Sequence, residues 1–325
     1  MQNQNPYRKR QCLNSFLFLG DFYVQAGYIS IHLIMYKLSV IICVFNEEMC
    51  LIEALRSLYH NDIYKQTEVI IIDDCSINPV TLRLLHLLAK FTRYNVINSQ
   101  QNMGLSNSRN LGFANATTPY ILPLDADDIF PEHAIDDIYT TFTQKPGIDF
   151  IVGNYYLNNV QTGQTQVVDC SGITTAGTVD IKKLGTDWKL LGTSPCKKAA
   201  WEKVGGYNLK YSYSVQDVDF WIRVITSGSQ GFYLNKPIYT WNKSATGMNM
   251  NFNRLDMVKL MEDHREFYLL NNTAADLDNR IFEAYYPYKQ KNVLLPLGKK
   301  SFQRLKLVNK LRLIRFYITT MFNGA

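Results

Sequence analysis

Three short runs in the first half of this 325-residue chain place acidic or aromatic side chains directly after an apolar stretch. They are Phe45-Asn46-Glu47, Asp73-Asp74 and Asp125-Ala126-Asp127-Asp128. If each apolar stretch is a strand of an open parallel sheet, the runs lie at its C-terminal edge, where connecting loops diverge and ligands bind. Carboxylates gathered at such an edge repel one another unless a cation or hydrogen-bond donors meet them. Hard oxygen ligands of this kind suit Mg²⁺ or Mn²⁺, held by one or two carboxylates while diphosphate oxygens complete the shell. The chemistry these residues ask for is therefore a divalent metal carrying a diphosphate. Aspartates after a strand also serve as turn formers and helix N-caps. For Asp73-Asp74 alone that plainer reading is the stronger one, but three carboxylates in four residues exceed what a turn or cap needs.

Strands must hold these tips. From Leu38 to Asn158 short β-branched runs alternate with helical periods, the signature of strands joined by crossover helices in a mostly parallel sheet. Leu38 to Phe45 reads as a fully buried strand, followed by a helix carrying Leu51, Leu55 and Leu58. Val69 to Ile72 is a second strand, with a helix through Leu84, Leu85, Leu88 and Phe91 after it. The spacing then predicts a strand at Tyr94 to Ile97, a helix from about Ser106 to Ala114 and a strand at Tyr120 to Leu124. A helix after Pro131, a strand at Phe150 to Tyr155 and a hairpin turn at Gly163 follow. The second half offers a helix around Gln216 to Thr226, a strand at Phe232 to Leu234 and a separate segment, Ile238 to Trp241. Beyond Asn253 the sequence reads as helices alone, ending in an amphipathic one from Phe302 to Phe322.

Bulk properties fit this layout. With 46% apolar and 19% charged residues the chain can bury a large core. The six cysteines include no CxxC pair, which argues against a zinc site or a disulfide framework and for a reducing, cytoplasmic setting. The net charge of +6 is uneven: residues 289–325 hold nine Lys/Arg and no Asp or Glu, pointing to an anionic surface as partner. No stretch reaches the roughly 18 to 20 apolar residues of a membrane-spanning helix. Residues 1–34 form an extension of doubtful role, and we expect the working chain to start at Met35, directly before the first strand.

The ordered series LSVIICVFNEE, VIIIDDCS and NMGLSNSRNLGFANATTPYILPLDADDIF closely resembles the family 2 glycosyltransferases of GT-A fold. The similarity is strong over Leu38 to Asn158 and looser over Thr193 to Trp241. It implies an α/β fold, a GT-A type nucleotide-binding sandwich with a mostly parallel sheet, plus a helical C-terminal extension. The expected divisions are a glycosyltransferase domain at 35–250, with a donor-binding half at 35–158 and an acceptor half at 159–250, and a helical, basic region at 251–325.

Carried over position by position, the resemblance implies that Cys43 and Phe45 border the nucleobase, with the ring stacking on it. Asp74 would accept a hydrogen bond from the base, most simply uracil N3, while Asp73 supports the loop. Arg109 would reach the base or diphosphate with its donor fork. Asp125 and Asp127 form the D-x-D motif that orients ribose and binds Mg²⁺ or Mn²⁺, and either Asp127 or Asp128 is the direct ligand. The family's acidic pair opening a helix is matched by Gln216-Asp217, so Asp217 keeps the role of base and a neutral amide replaces its usual neighbour. Asp219 is a weaker candidate for the same role. Gly192 to Cys196 matches the lining of the acceptor and sugar pocket, and Gly205-Gly206 reads as a helix stop. Trp188, Trp241 and Lys243 stay outside the assigned site.

The implied function is inverting, metal-assisted transfer of a sugar from a nucleoside diphosphate donor, a UDP-sugar, to a glycan or lipid-linked saccharide. Two rivals stand beside it. Nucleotidylyl transfer uses similar carboxylates but wants a Gly- and Lys/Arg-rich loop where this chain has Val44-Phe45-Asn46-Glu47-Glu48. A sugar-nucleotide-binding protein without catalysis is kept open by Gln216. In the tail, Leu307, Leu311, Ile314, Ile318 and Met321 fall at near-helical spacing among Arg304, Lys306, Lys310, Arg312 and Arg315. Such a helix could lie peripherally on the inner face of an anionic membrane, or its stripe could pack on the catalytic domain. Nucleic acid is not an expected partner, since no recognition motif accompanies the charge.

Overall fold

The computed structural model describes residues 24–25, 28–29, 35–211, 214–244, 254–288, 294 and 299–322. Most of the 1–34 extension lies outside them; the described part is an antiparallel pair, Val24–Gln25 with Tyr28–Ile29.

The first half alternates strand and helix as the β-branched runs require. It comprises β1 (Leu38–Val44), α1 (Cys50–Leu58), β2 (Thr67–Asp73), α2 (Pro79–Leu88), β3 (Tyr94–Asn98), α3 (Leu105–Asn115), β4 (Tyr120–Asp125) and α4 (Ala134–Gln144). Strands β3, β2, β1 and β4 lie side by side in that order, all parallel. β1 and β2 are nearly fully enclosed, as apolar strands covered on both faces must be. Gly112 lets α3 lie against β1: a Cβ there would collide with Ile41.

Parallelism breaks after β5 (Phe150–Asn159) and its hairpin partner β6 (Gln164–Val168). The chain passes α5 (Ile181–Thr186) and returns as the two-residue β7, Cys196–Lys197. This strand is antiparallel to both β4 and β5 and fills the gap between them. After α6 (Lys198–Val204), stopped by Gly205 at φ +74°, α7 (Gln216–Thr226) leads into β8 (Gly231–Lys243). The two pieces expected at Phe232–Leu234 and Ile238–Trp241 are thus one strand, parallel to β5. Register shifts between Leu234 and Tyr239, around Pro237, blur its period in the sequence.

The described residues of the C-terminal region include the helices α8 (Arg254–Asp263), α9 (Arg265–Leu269), α10 (Ala274–Tyr285) and α11 (Leu307–Phe322). Its own apolar cluster includes Leu277, Ile281, Phe282, Leu305, Leu313 and Phe316. The expected terminal helix begins later than Phe302, which opens a 3₁₀ turn instead. No helix among the described residues is long and apolar enough to cross a membrane. Cys43, Cys50, Cys75, Cys170 and Cys196 are free thiols.

Candidate functional site

Register alone brings the acidic tips together. Cys43 sits opposite Asp125 across β1 and β4, and Val44 opposite Asp73 across β1 and β2. A cleft of about 690 Å³ opens over this edge. Cys43, Phe45, Asp74, Arg109, Asp125, Asp127 and Asp128 line one side, and Gly192, Gln216, Asp217 and Trp241 belong to the same lining from the second half. Phe45 is 43% exposed there, available as a flat apolar surface. Burial pushes the Cys43 thiol up to about 12, so it is a neutral wall and not a nucleophile.

The second tip divides. Asp73 turns its carboxylate onto the Ser76 N–H at 3.0 Å and is absent from the cleft lining, so its place is structural support of the loop. Asp74 reaches the cleft while accepting the N–H groups of Met103 and Gly104 at 2.8 and 2.9 Å. It thereby fixes the turn into α3, whose Gly104 has φ +80°. That turn aims Arg109, which is 3% exposed, at the third tip. Its Nη2 donates to Asp125 Oδ1 at 2.7 Å, whereas Nη1 and the neighbouring Ser108 Oγ are buried without a hydrogen-bond partner among the described residues. A cation with an unused donor in a cleft is equipped for an anionic ligand.

The third tip separates its aspartates. Asp128 is 3% exposed and already engaged on both oxygens: the Tyr239 hydroxyl donates to Oδ2 at 2.8 Å and the Asn242 N–H to Oδ1 at 2.7 Å. Burial and the charges of Asp125 and Asp127 still push it up to about 8. Asp127 lines the cleft; burial and then Asp125 raise it to about 6. Glu47, on the first tip, rises to about 7 through burial, then Asp127 and Asp125. Three acids held above the ordinary carboxylate range mark a place where added positive charge is stabilising, which fits Mg²⁺ or Mn²⁺.

Opposite, Asp217 stands in the first turn of α7. Burial raises its pKa, and the charge of Arg109 and the N–H of Val218 oppose that shift. Its neighbour Gln216 is 7% exposed, lines the cleft and buries an Oε1 without a partner. The helix N-cap is Val215, in the left-handed region at φ 52°, and makes no side-chain cap. Asp219 is excluded as a base. It is 1% exposed, with Oδ2 bound by Arg223 at 2.7 and 2.8 Å and Oδ1 by His264 at 2.8 Å, away from the cleft lining.

Several participants escape a sequence reading. Glu47 stands in the quoted first tip, and its acidity in a strand-end run was the available signal. Tyr239 and Asn242 come from β8 and carried no local signal. Trp188 and Lys243, left unassigned above, also line the cleft. Trp188 is backed by Phe267 of α9, ring centroids 6.4 Å apart and edge-on. Among the described residues, Asp62, His133 and Asp136 bring ligand atoms within 4.8 Å of one another. Asp136 already receives the N–H groups of Asp62 and Ile63 at 2.9 Å, and Asp62 precedes β2 whereas Asp73 ends it. That group lies at the opposite end of the strand from the acidic cleft.

The chain is similar to known proteins in both sequence and fold. The family described as Glycosyl transferase family 2 matches residues 39–199. An uncharacterized glycosyltransferase of Haemophilus influenzae is 24% identical over 288 residues, covering 87% of this chain and 94% of that protein. A cholesterol galactosyltransferase of Borreliella burgdorferi is 24% identical over 266 residues, covering 77% and 74%. In fold, the chain is similar to S. aureus TarS 1-349, crystallised in complex with UDP-GlcNAc. There the TM-score is 0.59 at 18% identity, over 86% of this chain and 79% of that one. The chain spans 44% of the longer TarS chain.

Proposed function

Because the chain carries a family 2 glycosyltransferase domain of GT-A fold, we propose that it transfers a hexosyl or N-acetylhexosaminyl group from a UDP-sugar to a saccharide acceptor, free or lipid-linked, with inversion. The observation that carries this reading is Arg109, buried and pinned to Asp125 through one nitrogen while the other is left unpaired beside an acidic cleft. A UDP donor is supported by the UDP-GlcNAc complex of TarS, and a lipid-linked acceptor by the Borreliella relative, whose acceptor is itself a lipid.

In this reading Phe45 stacks on the uracil, Cys43 borders it and Asp74 accepts from its N3. Asp125, held by Arg109, orients the ribose, and Arg109 Nη1 donates to the diphosphate. Asp127 would be the direct ligand of Mg²⁺ or Mn²⁺, because Asp128 is buried and tied by Tyr239 and Asn242 whereas Asp127 faces the cleft. When bound, the cation neutralises charge on the departing diphosphate. Asp217 takes the acceptor hydroxyl proton, its raised pKa making it a stronger base than an exposed aspartate. We place the reaction in the cytoplasm beside an anionic membrane, on the strength of the nine cations in residues 289–325.

The experiment is UDP release from a panel of UDP-sugars, with and without Mn²⁺, EDTA and candidate acceptors. Metal-dependent release that rises with acceptor is the expected result. UDP binding without release from any donor would favour a sugar-nucleotide-binding protein, and no UDP binding would overturn the assignment.

A further inference from the structure

Helix α11 carries two apolar faces. Inward it turns Asn309, Leu313 and Phe316, all buried, against the C-terminal helices. Outward, Leu307, Leu311, Ile314 and Ile318 remain 72%, 58%, 44% and 52% exposed. Their spacings of four, three and four residues set them in one line along the helix. The packing alternative for this stripe is thereby answered: a different face does the packing. The side chain of Met321 lies outside the described residues. A surface helix with its inner face satisfied ordinarily keeps the outer face polar, so this line calls for an occupant.

The flanks identify it. At about 100° per residue, Lys310 and Arg315 project about 70° to either side of the line, while Arg312 lies further round, donating to Asn309 at 3.3 Å and standing over the Tyr286 ring. Among the described residues none of these three forms an ion pair, and residues 289–325 contain no acid that could. A second copy of this face would set like charges against each other. An anionic bilayer meets the apolar line with acyl chains and the cations with phosphates.

We infer that α11 docks on an anionic membrane, with Leu307, Leu311, Ile314 and Ile318 entering the acyl boundary and Lys310 and Arg315 at the phosphate level. This names the contact behind the membrane location proposed above and rests on that location, not on the sugar chemistry. In the intact chain the docked helix would hold the cleft beside a lipid-linked acceptor.

The test is flotation of the full chain with vesicles of phosphatidylglycerol and phosphatidylcholine, or of phosphatidylcholine alone. Binding is expected on the anionic vesicles and should be lost in about 1 M salt, where charges are screened within about 3 Å. The triple variant Leu311→Ser, Ile314→Ser, Ile318→Ser alters exposed side chains only; it should keep its melting temperature and its UDP release without vesicles. Its vesicle binding should fall by about tenfold or more. As a variant that preserves the apolar line, Leu311→Trp should be quenched by brominated lipid beyond the native tryptophans. Undiminished binding of the triple variant, or no added quenching, overturns the insertion. Sedimentation showing a dimer that the triple variant abolishes would give the face to a second copy. Failed UDP release with intact vesicle binding would instead count against the catalytic reading alone.

Discussion

Asp217 lies directly against the bare Cα of Gly192: a Cβ built there would stand 2.8 Å from Asp217 Cβ and 2.9 Å from its Oδ2. The position of the proposed base is therefore set by a residue whose only contribution is to be small. Gly192→Ala should displace the carboxylate, lowering turnover while UDP affinity stays near wild type. Equal losses in turnover and UDP affinity, measured by kinetics and calorimetry, would mean that the substitution disturbs the whole cleft.

Asp217→Asn retains size and most hydrogen bonding but removes basicity. Turnover should drop by about 10² to 10⁴ with donor binding preserved. The sign of the pH dependence follows from burial. A base must be ionised to act, and Asp217 is held above the ordinary aspartate value. Wild-type kcat/KM should accordingly fall on the acid side at a pH above the usual aspartate range. Gln216→Glu adds a carboxylate beside Asp217 and should move that limb to higher pH; a limb that stays put would dissociate it from Asp217.

Asp127 and Asp128 should behave differently although they are adjacent. A cation with UDP at about 100 times its Kd stabilises the fold by about 2.7 kcal/mol, a readable thermal shift. Asp127→Asn should abolish the Mn²⁺-dependent part. Asp128→Asn should retain much of it, because an amide oxygen can still accept the Asn242 N–H. The reverse order would make Asp128 the direct ligand.

Arg109→Lys keeps the charge but loses the planar fork that serves Asp125 and a ligand at once. Hydrogen bonds to charged groups contribute about 1.5–3 kcal/mol, so UDP affinity should weaken by about tenfold or more. Titration calorimetry checks this, and unchanged affinity would remove Arg109 from the diphosphate.

What could be read from the residues follows the range of the interactions involved. β1, β2 and β4 were legible because their burial is written in contiguous apolar runs, and the tips because each follows such a run. The partners of Asp128 were not: Tyr239 and Asn242 stand 111 and 114 positions away. That separation also explains why the sequence left Asp127 and Asp128 undivided. Asp219 offered the same carboxylate as Asp217, and only the packing of Arg223 and His264 around it tells them apart. On α11 the sequence showed a stripe without saying which side was covered, since Leu313 and Phe316 are as apolar as Leu311 and Ile314.

The two-residue strand Cys196–Lys197, pairing with β4 on one side and β5 on the other, also bears on how such an enzyme can diversify. Between residues 160 and 195 the chain makes a long excursion, pairing along the sheet as β6 and as two short strands at Thr174–Thr175 and Thr178–Val179 before it reaches this splice, and it brings Trp188 and Gly192 to the cleft on the way. Insertions or exchanges within the excursion can reshape the wall around Trp188 while residues 38–125 keep their register. On the proposed function, a lineage built on this plan would vary its acceptor by editing one stretch of gene while the residues proposed to hold the nucleotide kept their places.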